Sequence, residues 1–262
     1  MHCEKVVHHI VDWLRDYAAN AEVDGYVVGV SGGIDSALTS TLCARTGLSV
    51  LLLELPIHQA ESQVTRAQEH IKWLEDNYSN VRSRRVDLTD PFETLINAWP
   101  DIDNKERLSL TLANTRARLR MTALYHFAGL YGHLVAGTGN KVEDFGVGFF
   151  TKYGDGGVDV GPIADLLKTE VYELARHLGV ADHILDAPPT DGLWGDDRTD
   201  EDQLGASYAE LEWAMKFVAK GGHFAELEGR KKEVLNIYLR LNKANQHKMV
   251  PVPVCEIPEE LK

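Results

Sequence analysis

Within six residues the segment Ser31-Gly32-Gly33-Ile34-Asp35-Ser36 gathers two glycines, two hydroxyls and a carboxylate. Glycines let the backbone approach a ligand closely and adopt positive φ. Successive N–H groups in such a turn can form an anion-binding concavity, and a helix starting there adds positive potential. Ser31 and Ser36 offer hydroxyl donors, so the chemistry this set suits is the gripping of phosphate. A carboxylate among phosphate donors repels the ligand unless a cation sits between them, which makes Asp35 a candidate Mg²⁺ ligand. The segment has no lysine where G-x-x-x-x-G-K-[ST] needs one, and it does not match G-x-G-x-x-G. The plainer alternative is a glycine-rich tight turn capped by Asp and Ser.

A second group follows at Gly137-Thr138-Gly139-Asn140-Lys141-Val142-Glu143. Ligands of open parallel sheets bind beyond the carboxyl ends of the strands, which would put Thr138 and Glu143 on the same edge as Asp35. Carboxylates from two separate loops can share one magnesium ion that also takes phosphate oxygens. Then comes Gly148-Phe149-Phe150-Thr151-Lys152-Tyr153-Gly154-Asp155-Gly156-Gly157-Val158-Asp159. A surface hairpin accounts for its glycines but not for Lys152, Asp155 and Asp159 spaced among them. Arg116, Arg118 and Arg120 alternate within a helical stretch and cannot all face one way. Arg84-Arg85 and His8-His9 read as solvated surface, and Trp194 as a lid anchor or a packing residue.

The elements that must hold these residues follow from periodicity. Glu4 to Ala19 has helical apolar spacing. Gly25 to Val30 is a short, β-branched, glycine-bounded run that reads as a buried strand, and it leads through the Ser31 turn into a helix from Ala37 to Arg45. Thr46-Gly47 ends that helix. Strands are predicted at Ser49–Leu55, Val81–Leu88 and His133–Ala136. Helices are predicted at Glu61–Asn77, after Asp90 with Pro91 in the opening turn, at Leu108–Leu130 and at Asp165–Leu178. Alternating strand and helix argues for an α/β fold: an open, doubly wound parallel sheet flanked by helices, with right-handed crossovers. An acidic, proline-containing loop (Asp186 to Asp202), two more helices and an extended tail from Pro251 complete a chain read as one domain over 1–262.

Bulk properties narrow the function. At 262 residues, 44% hydrophobic and 26% charged, the composition is that of an ordinary globular protein. No apolar run is long enough for a membrane span, and the first residues lack a signal peptide's apolar stretch, so the expected location is the cytoplasm. The three cysteines fit neither a disulfide framework nor a zinc site, and Cys43 falls inside a helix as a small buried hydrophobe. With 27 basic and 40 acidic residues the net charge is −13, which disfavours nucleic acid as a partner.

The Ser-Gly-Gly-x-Asp-Ser turn resembles that of the ATP pyrophosphatases. Ser31 to Ser36, Gly137 to Glu143, Phe149 to Asp159, Lys168, Pro189-Thr190 and His247-Lys248, in that order, resemble the ammonia-dependent NAD synthetases over about residues 5–255. That resemblance implies ATP held by Gly29, Val30, Ser31, Gly32, Gly33, Ile34, Asp35 and Ser36, with Thr138, Lys168 and Thr190 as further contacts. It implies Mg²⁺ on Asp35 and Glu143, and deamido-NAD contacts from Arg118, Lys152, Asp159, His247 and Lys248. Asp35, Lys168 and Asp155 are the implied catalytic group. The implied reaction is a ligase's: ATP activates the carboxylate of deamido-NAD as an acyl-adenylate, and ammonia displaces AMP to give NAD. A homodimer is implied, and no glutaminase region is evident. Two departures stand out. Glu54 occupies a position where the family often has an arginine, and an extra residue before Phe149 makes Asp144 an alternative to Glu143 as metal ligand. The rival readings are another ATP pyrophosphatase, tRNA-thiolating or GMP-forming, and a non-enzymatic nucleotide sensor.

Overall fold

A computed structural model describes residues 1–100, 105–190, 199–222 and 227–262. Trp194 and the rest of residues 191–198 in the acidic loop lie outside the described residues. Four strands, β1 (Gly25–Gly29), β2 (Ser49–Glu54), β3 (Val81–Arg85) and β4 (His133–Val135), form a parallel sheet in the order β3-β2-β1-β4. Val27 at its centre lies opposite Leu51 on one side and Val135 on the other. The connections are helical: α1 (Cys3–Asn20) precedes β1, α2 (Ile34–Arg45) and α3 (Glu61–Asn77) follow β1 and β2, and α4 (Thr89–Asn97) and α5 (Lys105–Tyr131) link β3 to β4.

Strand side chains alternate, so the sheet feeds two cores. Tyr26, Val28, Val50 and Leu52 pack with α1, α2, α3 and α6 (Lys168–His177), as the buried Leu14, Leu38, Ile71 and Leu174 show. Val27, Leu51, Leu53 and Val135 point the other way onto α5, where Leu124 and Ala128 meet them. Each fully buried aliphatic or aromatic side chain contributes about 1.5–3 kcal/mol, and burial on both faces is why these strands read as continuous apolar runs. β3 is one edge strand and carries Arg82, Arg84 and Arg85, a row of charge that discourages further strand pairing. Cys43 is fully buried, as its helical position predicts.

A third cluster lies apart from the sheet. After the short α7 (Asp182–Leu185), α8 (Asp200–Leu204), α9 (Tyr208–Ala219) and α10 (Gly229–Met249) bury Leu211, Val234 and Tyr238 against a π-helical turn at Val142–Val147. That turn carries Glu143.

The predicted elements occur in the predicted order, with shifted ends. α2 begins at Ile34 rather than Ala37, which brings Asp35 and Ser36 into its first turn. α4 begins at Thr89, with Pro91 still in the opening turn, where its missing N–H costs no hydrogen bond. β3 stops at Arg85, short of Leu88. α6 begins at Lys168 rather than Asp165 because Leu167 is extended (ψ 156°) and the Glu170 carboxylate accepts its N–H at 2.8 Å. No helix among the described residues is long and apolar enough to cross a membrane.

One buried histidine makes stability depend on pH. His70 on α3 is 3% exposed, stacks on Trp73 and meets the Ser40 hydroxyl at 3.0 Å. Burial pushes its pKa down to about 4. An unfolded histidine titrates near 6.5, so its neutral form contributes fully above that pH and the contribution is lost as pH falls from there through about 4. The complete loss is about 3 kcal/mol. In urea unfolding between pH 6.5 and 4.5, His70→Gln should decline less steeply than the wild type, by roughly 1 kcal/mol per pH unit. Parallel declines would contradict this.

Candidate active site

A pocket opens where β1, β2 and β4 end, lined by Gly29, Leu53 and Ala136 at the strand termini. The whole stretch Gly29 to Ser36 lines it, together with Thr138, Glu143, Asp155, Lys168 and Thr190. The Ser31 turn is built on its own hydroxyls. Ser36 Oγ accepts the Ser31 N–H at 3.2 Å and donates to the Gly33 carbonyl at 2.9 Å, and Ser31 Oγ accepts the Gly33 N–H at 3.3 Å. No side chain caps α2 at Gly33, so the first N–H groups of a 12-residue helix stay open toward the pocket.

Gly32 is where the turn needs glycine. Its φ is +83°, and a Cβ there would lie 2.5 Å from the Gln63 carbonyl oxygen and 3.0 Å from the Ala67 nitrogen, both backbone atoms of α3. Left-handed backbone costs an ordinary residue about 1–2 kcal/mol before any clash. Gly32→Ala should therefore lower the unfolding free energy by at least about 1–2 kcal/mol and weaken nucleotide binding. Unchanged urea midpoint and ATP affinity would show that the turn tolerates a side chain.

Beside this turn three charges from distant parts of the chain converge. Lys168, the first residue of α6, is 3% exposed, and its Nζ donates to Asp35 Oδ2 at 2.5 Å and to Glu143 Oε1 at 3.1 Å. Asn140 Nδ2 donates to Asp35 Oδ1 at 3.1 Å, while Asn140 Oδ1 accepts the N–H groups of Val142 and Glu143. The Tyr208 hydroxyl donates to Glu143 Oε1 at 2.5 Å and lies 3.2 Å from Asp200 Oδ2. The Tyr208 ring lies 4.7 Å from Lys168 Nζ. The start of α6 is fixed from α9, where Glu212 accepts the N–H and hydroxyl of Thr169 at 2.9 and 2.8 Å.

The electrostatics follow from this crowding. Burial alone pushes the Lys168 ammonium down, but the Asp35 and Glu143 carboxylates outweigh it and hold its pKa above the ordinary lysine range. Burial pushes Glu143 up, and Asp35 adds to the shift against the opposing pull of Lys168. Asp144 is pushed up to about 8 by burial, then by Glu143, Asp155 and Asp35. Of the two adjacent acids, Glu143 shares Lys168 with Asp35, whereas the Asp144 carboxylate fills the space left by the missing Cβ of Gly139. Among the described residues no three histidines, cysteines or acids form a metal cage. A cation here would therefore take two carboxylates and complete its shell with phosphate oxygens and water, a hard-oxygen set that fits Mg²⁺.

Five predicted residues, Arg118, Lys152, Asp159, His247 and Lys248, lie outside the pocket lining. Arg118 is exposed and donates to the Lys152 carbonyl at 3.3 Å, and Lys152 Nζ donates to the His247 carbonyl at 2.7 Å. These three form a chain across α5, the glycine-rich loop and α10. Lys248 Nζ donates to the Phe150 carbonyl at 2.7 Å and to that of Gly148. Asp159 accepts from the Tyr125 hydroxyl at 2.9 Å and the Val135 N–H at 2.8 Å, which ties the loop to β4. Asp155 stands on the pocket wall and accepts the Thr151 N–H at 3.0 Å.

Other pocket residues had no role in the sequence reading. Arg120, not Arg118, faces the pocket, with Nε on the Leu55 carbonyl and Nη2 on Gln59. Arg66 joins it, with Nε 3.2 Å from the Gly32 carbonyl. Glu54 is buried, takes Gln68 at 3.2 Å and pairs with Arg85 at 3.6 Å, outside the pocket lining. Asn140 sits inside a segment already singled out, so its amide was within reach of sequence reasoning. Tyr208 follows the helix cap Ser207 and carries no local signal.

Comparison with known proteins places this geometry. The family model for NAD synthase matches residues 6–251. The chain belongs to the NAD synthase family. A relative from Methanosarcina acetivorans named NH(3)-dependent NAD(+) synthetase is 38% identical over 98% of this chain and 100% of its own. The solved NH3-dependent NAD synthetase from Campylobacter jejuni superposes with a TM-score of 0.78 at 25% identity, covering 98% of this chain and all of that one. An NMN synthetase from Francisella tularensis superposes at 0.81, with 30% identity and 99% of each chain covered. The NAD synthase family is thus matched along nearly the whole chain, from α1 through α10, and the converging Asp35, Glu143 and Lys168 lie within the matched span.

Proposed function

We propose that this protein makes NAD from deamido-NAD, ATP and ammonia, releasing AMP and pyrophosphate. The observation that carries the reading is the meeting of Asp35 and Glu143 on one buried cation beside an uncapped helix start, within a chain of the NAD synthase family.

A nicotinate carboxylate resists ammonia because it is an anion and because oxide leaves badly. In the first step a carboxylate oxygen attacks the α-phosphorus, the bond to the β-phosphate oxygen breaks and pyrophosphate departs, leaving an acyl-adenylate. In the second, ammonia attacks the acyl carbon, the carbon–oxygen bond breaks, AMP departs and the nitrogen loses a proton. The turn from Gly29 to Ser36, with Thr138 and Thr190, grips and orients ATP. Lys168 supplies positive charge to the leaving pyrophosphate. Asp35 and Glu143 hold Mg²⁺, which balances charge on the phosphates when bound. Asp155 and its loop shield the intermediate from water. Arg118, Lys152, Asp159, His247 and Lys248 contact deamido-NAD outside the ATP pocket, a role supported by the Arg118–Lys152–His247 chain.

A homodimer with the dinucleotide near its interface is supported by exposed apolar side chains along α5, among them Leu110, Leu130 and Tyr131. Unpaired Cys3, Cys43 and Cys255 support a reducing, cytoplasmic setting.

The test is purified protein with ATP, Mg²⁺ and ammonium, given deamido-NAD or nicotinate mononucleotide in parallel. The mononucleotide arm is set by the likeness to an NMN synthetase. The expected result is NAD formation with deamido-NAD as the better substrate. Amidation of the mononucleotide alone, or no amide from either, would contradict the proposal.

A further inference from the structure

We infer that Lys168 is a built-in counter-cation that keeps free divalent metal out of the site, so that metal enters only together with the nucleotide's phosphates. The inference rests on reading Asp35 and Glu143 as metal ligands. Lys168 Nζ already stands between those two carboxylates, 2.5 Å from one and 3.1 Å from the other, at the point where a shared metal ion would sit. Two cations cannot share that point. With Lys168 only 3% exposed, their repulsion is weakly screened.

The surroundings favour exchange over collapse. Asp35 keeps a neutral donor from Asn140, and Glu143 keeps one from Tyr208, so both carboxylates stay aimed when the ammonium leaves. The backbone at Lys168 is fixed, because Glu212 and Glu170 pin the residues on either side of it. What can move is the flexible stem of the side chain. The open N–H groups at the start of α2 lie in the same pocket. A metal–triphosphate complex seated there offers the ammonium new anionic partners while its metal takes the place between the carboxylates. A bare metal ion offers nothing in exchange.

The test is a Mn²⁺ titration of nucleotide-free protein followed by electron paramagnetic resonance. Wild type should show no site at micromolar Mn²⁺. Lys168→Met should show one site per chain, at least about tenfold tighter, which is the scale of removing one unit charge at contact distance. That site should vanish in Lys168→Met with Asp35→Asn. If Lys168→Met does not fold, Lys168→Gln, which keeps a neutral donor, serves with the same expectation. A wild-type site as tight as the variant's, or no site in the folded variant, overturns the inference. NAD formation by wild type is read separately: a protein that makes NAD yet binds Mn²⁺ as tightly as its variant loses the exclusion role of Lys168 and keeps its assigned reaction.

Discussion

Replacing Asp35 by asparagine should lower NAD formation by about a hundredfold or more while leaving the protein folded. The amide has nearly the shape of the carboxylate and can still accept from Asn140, which reaches Oδ1 at 3.1 Å. Lys168 retains Glu143 at 3.1 Å, so its buried ammonium keeps an anionic partner. What would disappear is the negative charge proposed to hold the cation against the leaving pyrophosphate. The loss should fall on kcat, because the interaction strengthens as charge develops on the departing group. Turnover within a few-fold of wild type, with circular dichroism unchanged, would remove Asp35 from the mechanism.

The second large effect is on stability. Lys168→Met should cost about 3–5 kcal/mol in metal-free buffer, the usual penalty for deleting one partner of a buried ion pair. The methionine fills the space of the stem but leaves Asp35 and Glu143, with side chains 18% and 15% exposed, facing each other without a counter-charge. Mg²⁺ in millimolar excess should restore part of the loss by binding where the ammonium stood. Urea unfolding with and without Mg²⁺ measures both effects. A cost below about 1 kcal/mol would mean that the carboxylates are neutralised by something other than Lys168.

Much of this architecture was legible in the residues. The parallel sheet was readable because its strands are short, β-branched and buried on both faces, and because glycines and prolines mark their ends. The glycine-rich turn that lines the pocket was readable because its pattern is local, contained in six consecutive residues. The meeting of Asp35, Glu143 and Lys168 is different in kind. Lys168 and Asp35 are 133 residues apart, and only the sheet and the start of α6 bring them to one point. Tyr208, 65 residues from Glu143, had no local signature at all.

Helix phase was the other obscurity. α5 is apolar on both its sheet-facing and outer sides, with buried Ala117 and Ala128 on one side and Leu119 and exposed Leu130 on the other. Periodicity therefore does not say which of its arginines turns inward. Arg120 proves to line the pocket while Arg118 lies at the surface beside Lys152. Glu54, where the family often has arginine, is occupied with Gln68 and Arg85, and Arg66 and Arg120 supply positive charge at the pocket wall instead.

The most direct test of the chemistry follows one oxygen atom. Deamido-NAD labelled with ¹⁸O in its nicotinate carboxylate is turned over with ATP, Mg²⁺ and ammonium, and the products are weighed by mass spectrometry. If the carboxylate is activated as an acyl-adenylate, each AMP carries one labelled oxygen and the pyrophosphate carries none. Unlabelled AMP, or ADP and phosphate as products, would contradict the account.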